Sequence, residues 1–108
     1  MELEEKKCVP CEGIGKPLTD EEADNLMPKV PGWKREGKKI WRKLKFNDFD
    51  EAMIFINKIA DIAREEDHHP DFTLYEWNNV TVELWTHAVD GLSENDFIVA
   101  AKINKISS

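Results

Sequence analysis

The chain has 108 residues, 34% of them charged, and a formal net charge of −7 at pH 7. This length fits one small domain, and the negative charge would repel a phosphate backbone, which argues against a nucleic-acid partner. No stretch approaches the roughly 20 apolar residues of a membrane span, and the acidic residues 1–5 lack the apolar core of a signal peptide, so we expect a cytoplasmic protein without a membrane partner.

Residues 1–17 are predicted to form an N-terminal arm, and residues 18–108 a single folded domain. The arm contains both cysteines of the chain, Cys8 and Cys11, in a Cys-x-x-Cys pair. In a reducing compartment this spacing favours metal or redox chemistry over a structural disulfide, but zinc prefers four ligands and the segment supplies two. We therefore predict two ordinary thiols, with a functional role for the pair as the alternative.

The first elements after the arm are predicted to be a helix and a hairpin. Thr19 is followed three positions later by Glu22, a capping box that predicts a short helix running to about Met27. Residues 33–46 then alternate between apolar and polar positions with period two, and Gly37 supplies a natural turn. This pattern is typical of a β-hairpin.

A long helix is predicted next, with Asn47-Asp48 as its cap. Apolar residues recur there at three- and four-residue steps and predict one buried stripe: Phe49, Met53, Ile56, Ile59, Ala60 and Ala63. Pro70 disfavours helical geometry in the residue before it, so the helix should end near Asp67. His68 and His69 therefore lie where the helix ends.

The remaining residues predict a second hairpin and a final helix. Residues 72–77 and 80–86 are rich in β-branched and aromatic side chains, and Asn78-Asn79 suits a two-residue loop because Asn tolerates positive φ. The final helix should begin after Ser93, whose hydroxyl can cap it. The order α-β-β-α-β-β-α predicts an α+β fold, a four-stranded antiparallel sheet with helices packed on one face.

The three histidines are the candidate acid/base groups, because imidazole has an unperturbed pKa of roughly 6.5. His68 and His69 follow the carboxyl end of the long helix, where partial negative charge and neighbouring acids favour the protonated ring. His87 closes the last strand, and a pocket between strand end and helix end would bring it near His68. Asp96 can cap the final helix or orient an imidazole. The alternative is that these are solvated surface histidines.

Several short motifs lie at characteristic spacing along nearly the whole chain: His68-His69-Pro70, Trp77, Thr86-His87 and Gly91-Leu92-Ser93-Glu94-Asn95-Asp96, with Gly32-Trp33 and Cys8-Val9-Pro10-Cys11-Glu12-Gly13 before them. This arrangement resembles the pterin-4a-carbinolamine dehydratase family, also described as dimerisation cofactors of a homeodomain transcription factor. The combined spacing is far more specific than the His-His-Pro triplet alone.

The resemblance implies a lyase that removes water from 4a-hydroxytetrahydropterin and leaves quinonoid dihydropterin, for recycling after aromatic amino acid hydroxylation. It implies no metal and no cofactor, since the pterin is the substrate. It also implies that His68 and His87 are the acid/base pair, that His69 orients the pterin, and that Asp96 holds a histidine in place. The implied substrate contacts are Asp67, His68, His69, Pro70, Trp85, Thr86, His87 and Ala88, with strand-end backbone around Thr86 bonding the pterin edge.

One position departs from the family pattern, which usually has an acidic or other polar titratable residue four places before the first histidine. Here that residue is Arg64. Neighbouring residues on a helix are separated by about 100° of rotation, so Glu65 cannot take over the position. The departure bears on activity and on pterin orientation, and it does not affect the fold.

Two other classes of function are open at this stage. A non-catalytic protein-binding or dimerisation module would use the aromatic residues Trp41, Trp77 and Trp85, which ordinary packing also explains. We expect a homodimer or homotetramer. A metal site would need Cys8, Cys11 and two of the histidines, with the arm folded back over them.

Overall fold

The structure is a computed structural model that describes residues 2–107. Its helices and strands are α1 (Asp20–Leu26), β1 (Lys34–Glu36), β2 (Lys39–Lys45), α2 (Phe49–Glu66), β3 (Asp71–Tyr75), β4 (Asn79–Leu84) and α3 (Glu94–Ser107). The strands form one antiparallel sheet in the order β1-β2-β4-β3. The predicted α+β fold and its element order are therefore confirmed. No helix in the described part of the chain is both long and apolar enough to cross a membrane.

The helix starts follow from local side-chain caps. At α1 the Glu22 amide donates to the Thr19 hydroxyl over 3.1 Å, and the Thr19 amide donates to the Glu22 carboxylate over 2.8 Å, so the predicted capping box is confirmed. At α2 the Asp48 carboxylate accepts a 2.8 Å hydrogen bond from the Glu51 amide. The first hairpin turns at Gly37, whose φ of 61° is a conformation that glycine adopts without strain.

The buried stripe of α2 is shifted from the predicted one. Its buried members are Ala52, Phe55, Ile56, Ile59, Ala63 and Glu66. Phe49 lies in the first turn and is 48% exposed, so the stripe begins one turn later than periodicity indicated. The helix ends where expected, because Asp67 takes a left-handed conformation with φ of 52° and its amide bonds the Ala63 carbonyl.

The second hairpin turns earlier than predicted, through a three-residue loop of Glu76, Trp77 and Asn78. Positive φ falls on Glu76 and Trp77 and on neither asparagine, so the predicted loop at Asn78-Asn79 is wrong. The reason is a tertiary contact. The Asn78 side chain and carbonyl both bond the backbone of Phe46, and Asn79 is paired within the sheet. These contacts hold the two asparagines against the end of β2 and the residue that follows it.

The core lies between the sheet and the helices, and α3 is buried around most of its circumference. The arm packs directly against α3. Leu3 is 5% exposed, Lys102 donates to the Glu4 carbonyl over 2.8 Å, and the Asn95 side chain makes two hydrogen bonds to the Val9 backbone. The division of the chain near residue 18 stays a prediction, but the arm is packed on the domain.

Candidate active site

A cavity of about 420 Å³ lies where the carboxyl end of α2 meets the end of β4. All three histidines line it, although His87 is far from the other two in sequence. The complete lining is Cys11, Asp67, His68, His69, Asp71, Trp85, His87 and Ala88. A pocket at this place agrees with the one that the sequence predicts between a helix end and a strand end.

The end of α2 gives the two adjacent histidines different environments. The left-handed turn at Asp67 redirects the chain, and the His68 amide still bonds the Ala63 carbonyl over 3.3 Å. The His68 ring is buried, at 5% exposure, whereas His69 is exposed. His68 is therefore held by the interior, and His69 is free to meet a molecule that enters the cavity.

Asp96 is completely buried at the start of α3 and holds His68 in place. Its Oδ1 lies 2.7 Å from His68 Nε2, and its Oδ2 accepts hydrogen bonds from the Thr86 hydroxyl over 2.8 Å and from the Ser93 amide over 2.9 Å. An ionised carboxylate only accepts, so the proton shared with His68 sits on Nε2. In the neutral ring Nδ1 is therefore the basic nitrogen.

The predicted cap of α3 is rearranged around this carboxylate. The Ser93 amide bonds Asp96 as a capping box requires, but the Ser93 hydroxyl lies 2.7 Å from the Thr86 hydroxyl. Because the Thr86 hydroxyl donates to Asp96, the Ser93 hydroxyl donates to Thr86. The two alternatives offered for Asp96, cap and histidine partner, are thus realised together.

His87 begins a single-turn 3-10 helix, His87–Val89, and is exposed. Its ring packs on Trp85, with centroids 3.8 Å apart and planes 34° from parallel. The turn is closed by Thr86 and Gly91, whose backbone groups bond each other in both directions. Gly91 is required there because a Cβ would lie 2.8 Å from the side chain of Pro17.

Two of the predicted substrate contacts lie outside the cavity. The amide and the carbonyl of Thr86 both bond Gly91, and its hydroxyl bonds Asp96. Thr86 and Pro70 are not among the described residues that line the cavity, whereas Asp67, Trp85 and Ala88 are. Thr86 acts here as a partner of the buried carboxylate.

Glu65 and Glu66, in the last turn of α2, have partners other than imidazole. Glu66 is buried, accepts a 2.9 Å hydrogen bond from the Cys8 amide and lies 3.7 Å from the Lys102 ammonium. Glu65 is exposed and lies 3.7 Å from Lys7. Arg64 is also exposed and bonds Asp61 over 3.1 Å, so the departure from the family pattern lies outside the cavity lining.

The arm brings its two cysteines to different places. Cys11 lines the cavity, with Sγ 3.8 Å from His68 Nδ1. Cys8 contacts the Asn95 carbonyl, and burial together with the nearby Glu66 carboxylate raises the pKa of its thiol to about 12. Within residues 2–107 no three His, Cys, Asp or Glu side chains are grouped to hold a metal ion.

Sequence reasoning missed two of the lining residues, Cys11 and Asp71. Asp71 directly follows the His68-His69-Pro70 motif and opens β3, so the motif itself was the available signal. Cys11 belongs to the Cys-x-x-Cys pair, but only the docking of the arm shows which thiol reaches the cavity.

Comparisons with known proteins agree on one family. The family model described as pterin 4 alpha carbinolamine dehydratase matches residues 16–106. Pterin-4-alpha-carbinolamine dehydratase 2, mitochondrial, of Arabidopsis thaliana is 44% identical over 97% of this chain and 59% of its own length, so the chain spans about three fifths of that relative. A Nitrosospira multiformis protein given the same enzyme name provisionally is 47% identical over 97% of this chain and 92% of its own.

A solved structure supports the same relationship. The crystal structure of transcriptional coactivator/pterin dehydratase from Brucella melitensis superimposes with a TM-score of 0.81 at 34% identity. The match covers 86% of this chain and 100% of that one.

Proposed function

We infer that this chain, which belongs to the pterin 4-alpha-carbinolamine dehydratase family, removes water from a 4a-hydroxytetrahydropterin and releases a quinonoid dihydropterin. The predicted family and enzyme class, a lyase, are confirmed by its relatives. The observation that carries the histidine mechanism is the convergence of His68, His69 and His87 on one cavity. We place the reaction in the recycling of tetrahydropterin after aromatic amino acid hydroxylation.

The reaction needs two proton transfers, one to the departing C4a hydroxyl and one away from a ring nitrogen. His68 suits the second transfer, because Asp96 keeps the proton on Nε2, leaves Nδ1 basic and stabilises the imidazolium that forms. His87 suits the first, because it is exposed and can be reprotonated from solvent. Each imidazole ends the cycle by exchanging a proton with water, so no metal or redox cofactor is needed.

Substrate binding is proposed to use the rest of the lining. A pterin ring is flat and carries N–H donors on its edge, which the carboxylates of Asp67 and Asp71 can accept. Trp85, already packed on His87, offers an aromatic wall for the ring face. His69 is exposed beside them and is proposed to orient the pterin.

Dehydration of freshly generated 4a-hydroxytetrahydropterin, followed by absorbance, tests the proposal. We expect wild-type protein to exceed the spontaneous rate, and His68→Ala and His87→Ala each to lose about 10²-fold or more of that acceleration. Lys45→Ala, on an exposed position of β2, is the matched control and should keep the wild-type rate. A wild-type rate equal to the spontaneous one contradicts the enzyme proposal.

Self-association is proposed as the protein's second property. Phe49 and Ile54 on α2 are 48% and 56% exposed, and Phe72 on the edge strand β3 is 45% exposed. Exposed apolar side chains and an unpaired sheet edge are features of surfaces that bind other chains. Of the predicted contact tryptophans, Trp77 is exposed and Trp41 is half-buried. Light scattering should show a homodimer or homotetramer, and a monomer at micromolar concentration would contradict the proposal.

A further inference from the structure

Cys11 completes a chain of three side chains at the wall of the cavity. Its Sγ lies 3.8 Å from His68 Nδ1, within the distance for a hydrogen bond to sulfur, and His68 Nε2 lies 2.7 Å from Asp96 Oδ1. The order is thiol, imidazole and buried carboxylate. A nucleophile next to a base that a third group orients is the arrangement by which proteins activate thiols.

The direction of proton transfer follows from the partners of Asp96. The carboxylate fixes the proton of neutral His68 on Nε2, so the nitrogen that faces Cys11 is the one able to take a proton. We propose that Cys11 is a nucleophilic thiol activated by His68 and Asp96, and that uncharged alkylating electrophiles entering the cavity modify it covalently. This inference goes beyond the proposed dehydratase function and does not depend on it.

The reaction balances within the site. The Cys11 thiol gives its proton to His68 Nδ1, and the resulting thiolate attacks the electrophilic carbon. With iodoacetamide as the probe, the S–C bond forms while the C–I bond breaks, and iodide leaves with the bonding electrons. His68 then returns its proton to water. No oxidant or reductant takes part.

The second cysteine of the arm provides an internal comparison. Cys8 is held against the Asn95 carbonyl and lies beside Glu66, and burial raises the pKa of its thiol to about 12. Its thiol therefore stays protonated at neutral pH, and a protonated thiol is a poor nucleophile. Cys8 is also absent from the described lining of the histidine cavity.

The charge of the cavity selects among electrophiles. Asp67 and Asp71 line it together with Cys11, and the chain has a net charge of −7. Glu66 and Asp67 also line a second cavity that Cys11 shares. These carboxylates repel an anionic reagent, whereas the imidazolium that forms when His68 accepts the thiol proton is an opposite charge beside the thiolate. Iodoacetamide should therefore react in preference to iodoacetate of nearly the same size.

The test is alkylation of the folded protein with limiting iodoacetamide, with the modified cysteines quantified by peptide mass spectrometry. We expect Cys11 to react at least about tenfold faster than Cys8. We also expect His68→Asn to slow the alkylation of Cys11 by about tenfold or more; a well-placed general base typically contributes 10²–10⁴-fold, and about tenfold is the smallest effect that the proposal allows. His87→Gln changes a histidine of the same cavity that does not contact Cys11, His68 or Asp96 through the hydrogen bonds described above, and it should leave the alkylation rate of Cys11 unchanged. The ratio of iodoacetamide to iodoacetate rates should exceed that of an unfolded peptide containing the same cysteine.

Equal rates for the two cysteines would overturn the proposal, and so would a Cys11 rate that does not change in folded His68→Asn protein. Circular dichroism verifies the fold of each variant, and the comparison of Cys11 with Cys8 in wild-type protein needs no variant. Because alkylation is measured without pterin, a protein that fails the dehydratase assay can still pass this test, and the reverse holds too.

Discussion

Asp96 shows how a single buried carboxylate can serve both structure and chemistry. Three donors surround it, from the His68 ring, the Thr86 hydroxyl and the Ser93 amide, so its charge is compensated although it has no exposure. The same contacts start α3 and set the tautomer of His68. A substitution of Asp96 should therefore change both the stability of the fold and the position of the proton on His68.

Asp96→Asn tests this dual role with almost no change of shape. An amide has one acceptor oxygen and a donor NH₂ group, so it cannot accept from all three partners. We expect a loss of about 1–3 kcal/mol of unfolding free energy, measured with urea, from the unmatched buried donor.

In the same variant the amide oxygen should accept from Thr86 and Ser93, as Oδ2 does in the wild-type protein, so the NH₂ group faces the ring and the His68 proton should move from Nε2 to Nδ1. Nitrogen-15 NMR of the imidazole reports this directly. Dehydratase activity should fall with it, because Nδ1 is then no longer basic. Thr86→Val is the comparison, since it removes a neighbouring donor and keeps the contact between Asp96 and His68. An Nε2-protonated His68 in Asp96→Asn would contradict the assigned role.

The ends of the helices are the elements that place the functional groups. Asp67, in a left-handed conformation, ends α2, and the two histidines after it have different environments, His68 buried and His69 exposed. The first turn of α3 contains Asp96, the carboxylate that binds His68. At the first helix, the Thr19 amide bonds the Glu22 carboxylate and lowers the pKa of that carboxyl below its usual 4.5. The N-terminal cap of α1 is thus sensitive to pH.

Glu22→Gln should reveal this sensitivity. Because the pKa of Glu22 is lower in the folded protein, its carboxylate stabilises the fold above the usual value of 4.5, and the contribution is lost as pH falls through the folded pKa. Wild-type protein should therefore have a higher urea midpoint than the variant at pH 7, and the gap should close in more acidic solution. Glu21→Gln, one position earlier, should show a smaller gap. A gap that is constant with pH would refute the assignment.

The molecule as a whole is a domain with its N-terminal arm packed over α3. The arm inserts Leu3 into the core and brings Cys11 to the cavity, so it contributes to both the stability of the fold and the site. Cytoplasmic location stays a prediction, and the Arabidopsis relative is named as mitochondrial.

Leu3→Ala measures how much the docked arm stabilises the fold. Leu3 is 5% exposed, and truncation of a buried leucine typically costs about 2–5 kcal/mol. We expect a loss within this range in urea unfolding. Val9→Ala, at a position of the same arm that is 56% exposed, should change the unfolding free energy by less than about 0.5 kcal/mol. Equal, small effects of both changes would mean that the arm is detached in solution.

The sequence by itself determined the order of the elements, the cap of α1 and the end of α2 before Pro70, because these depend on residues close together in the chain. It also determined the family, since motif spacing along the chain is read without coordinates. Periodicity misjudged Phe49 because a helix pattern does not say where the core stops. The loop prediction at Asn78-Asn79 failed because Phe46, the residue after β2, uses Asn78 as a partner.

Only the tertiary structure decided which histidine is held and which is free. His68 and Asp96 are 28 positions apart, and Cys11 is 57 positions from His68, so neither contact follows from local pattern. Helix packing buries the His68 imidazole beside a carboxylate and leaves the neighbouring His69 exposed. The physical reason is that burial and hydrogen-bond partners are properties of the packed chain. They determine the protonation and the accessibility of a side chain, whereas the sequence gives only its residue type.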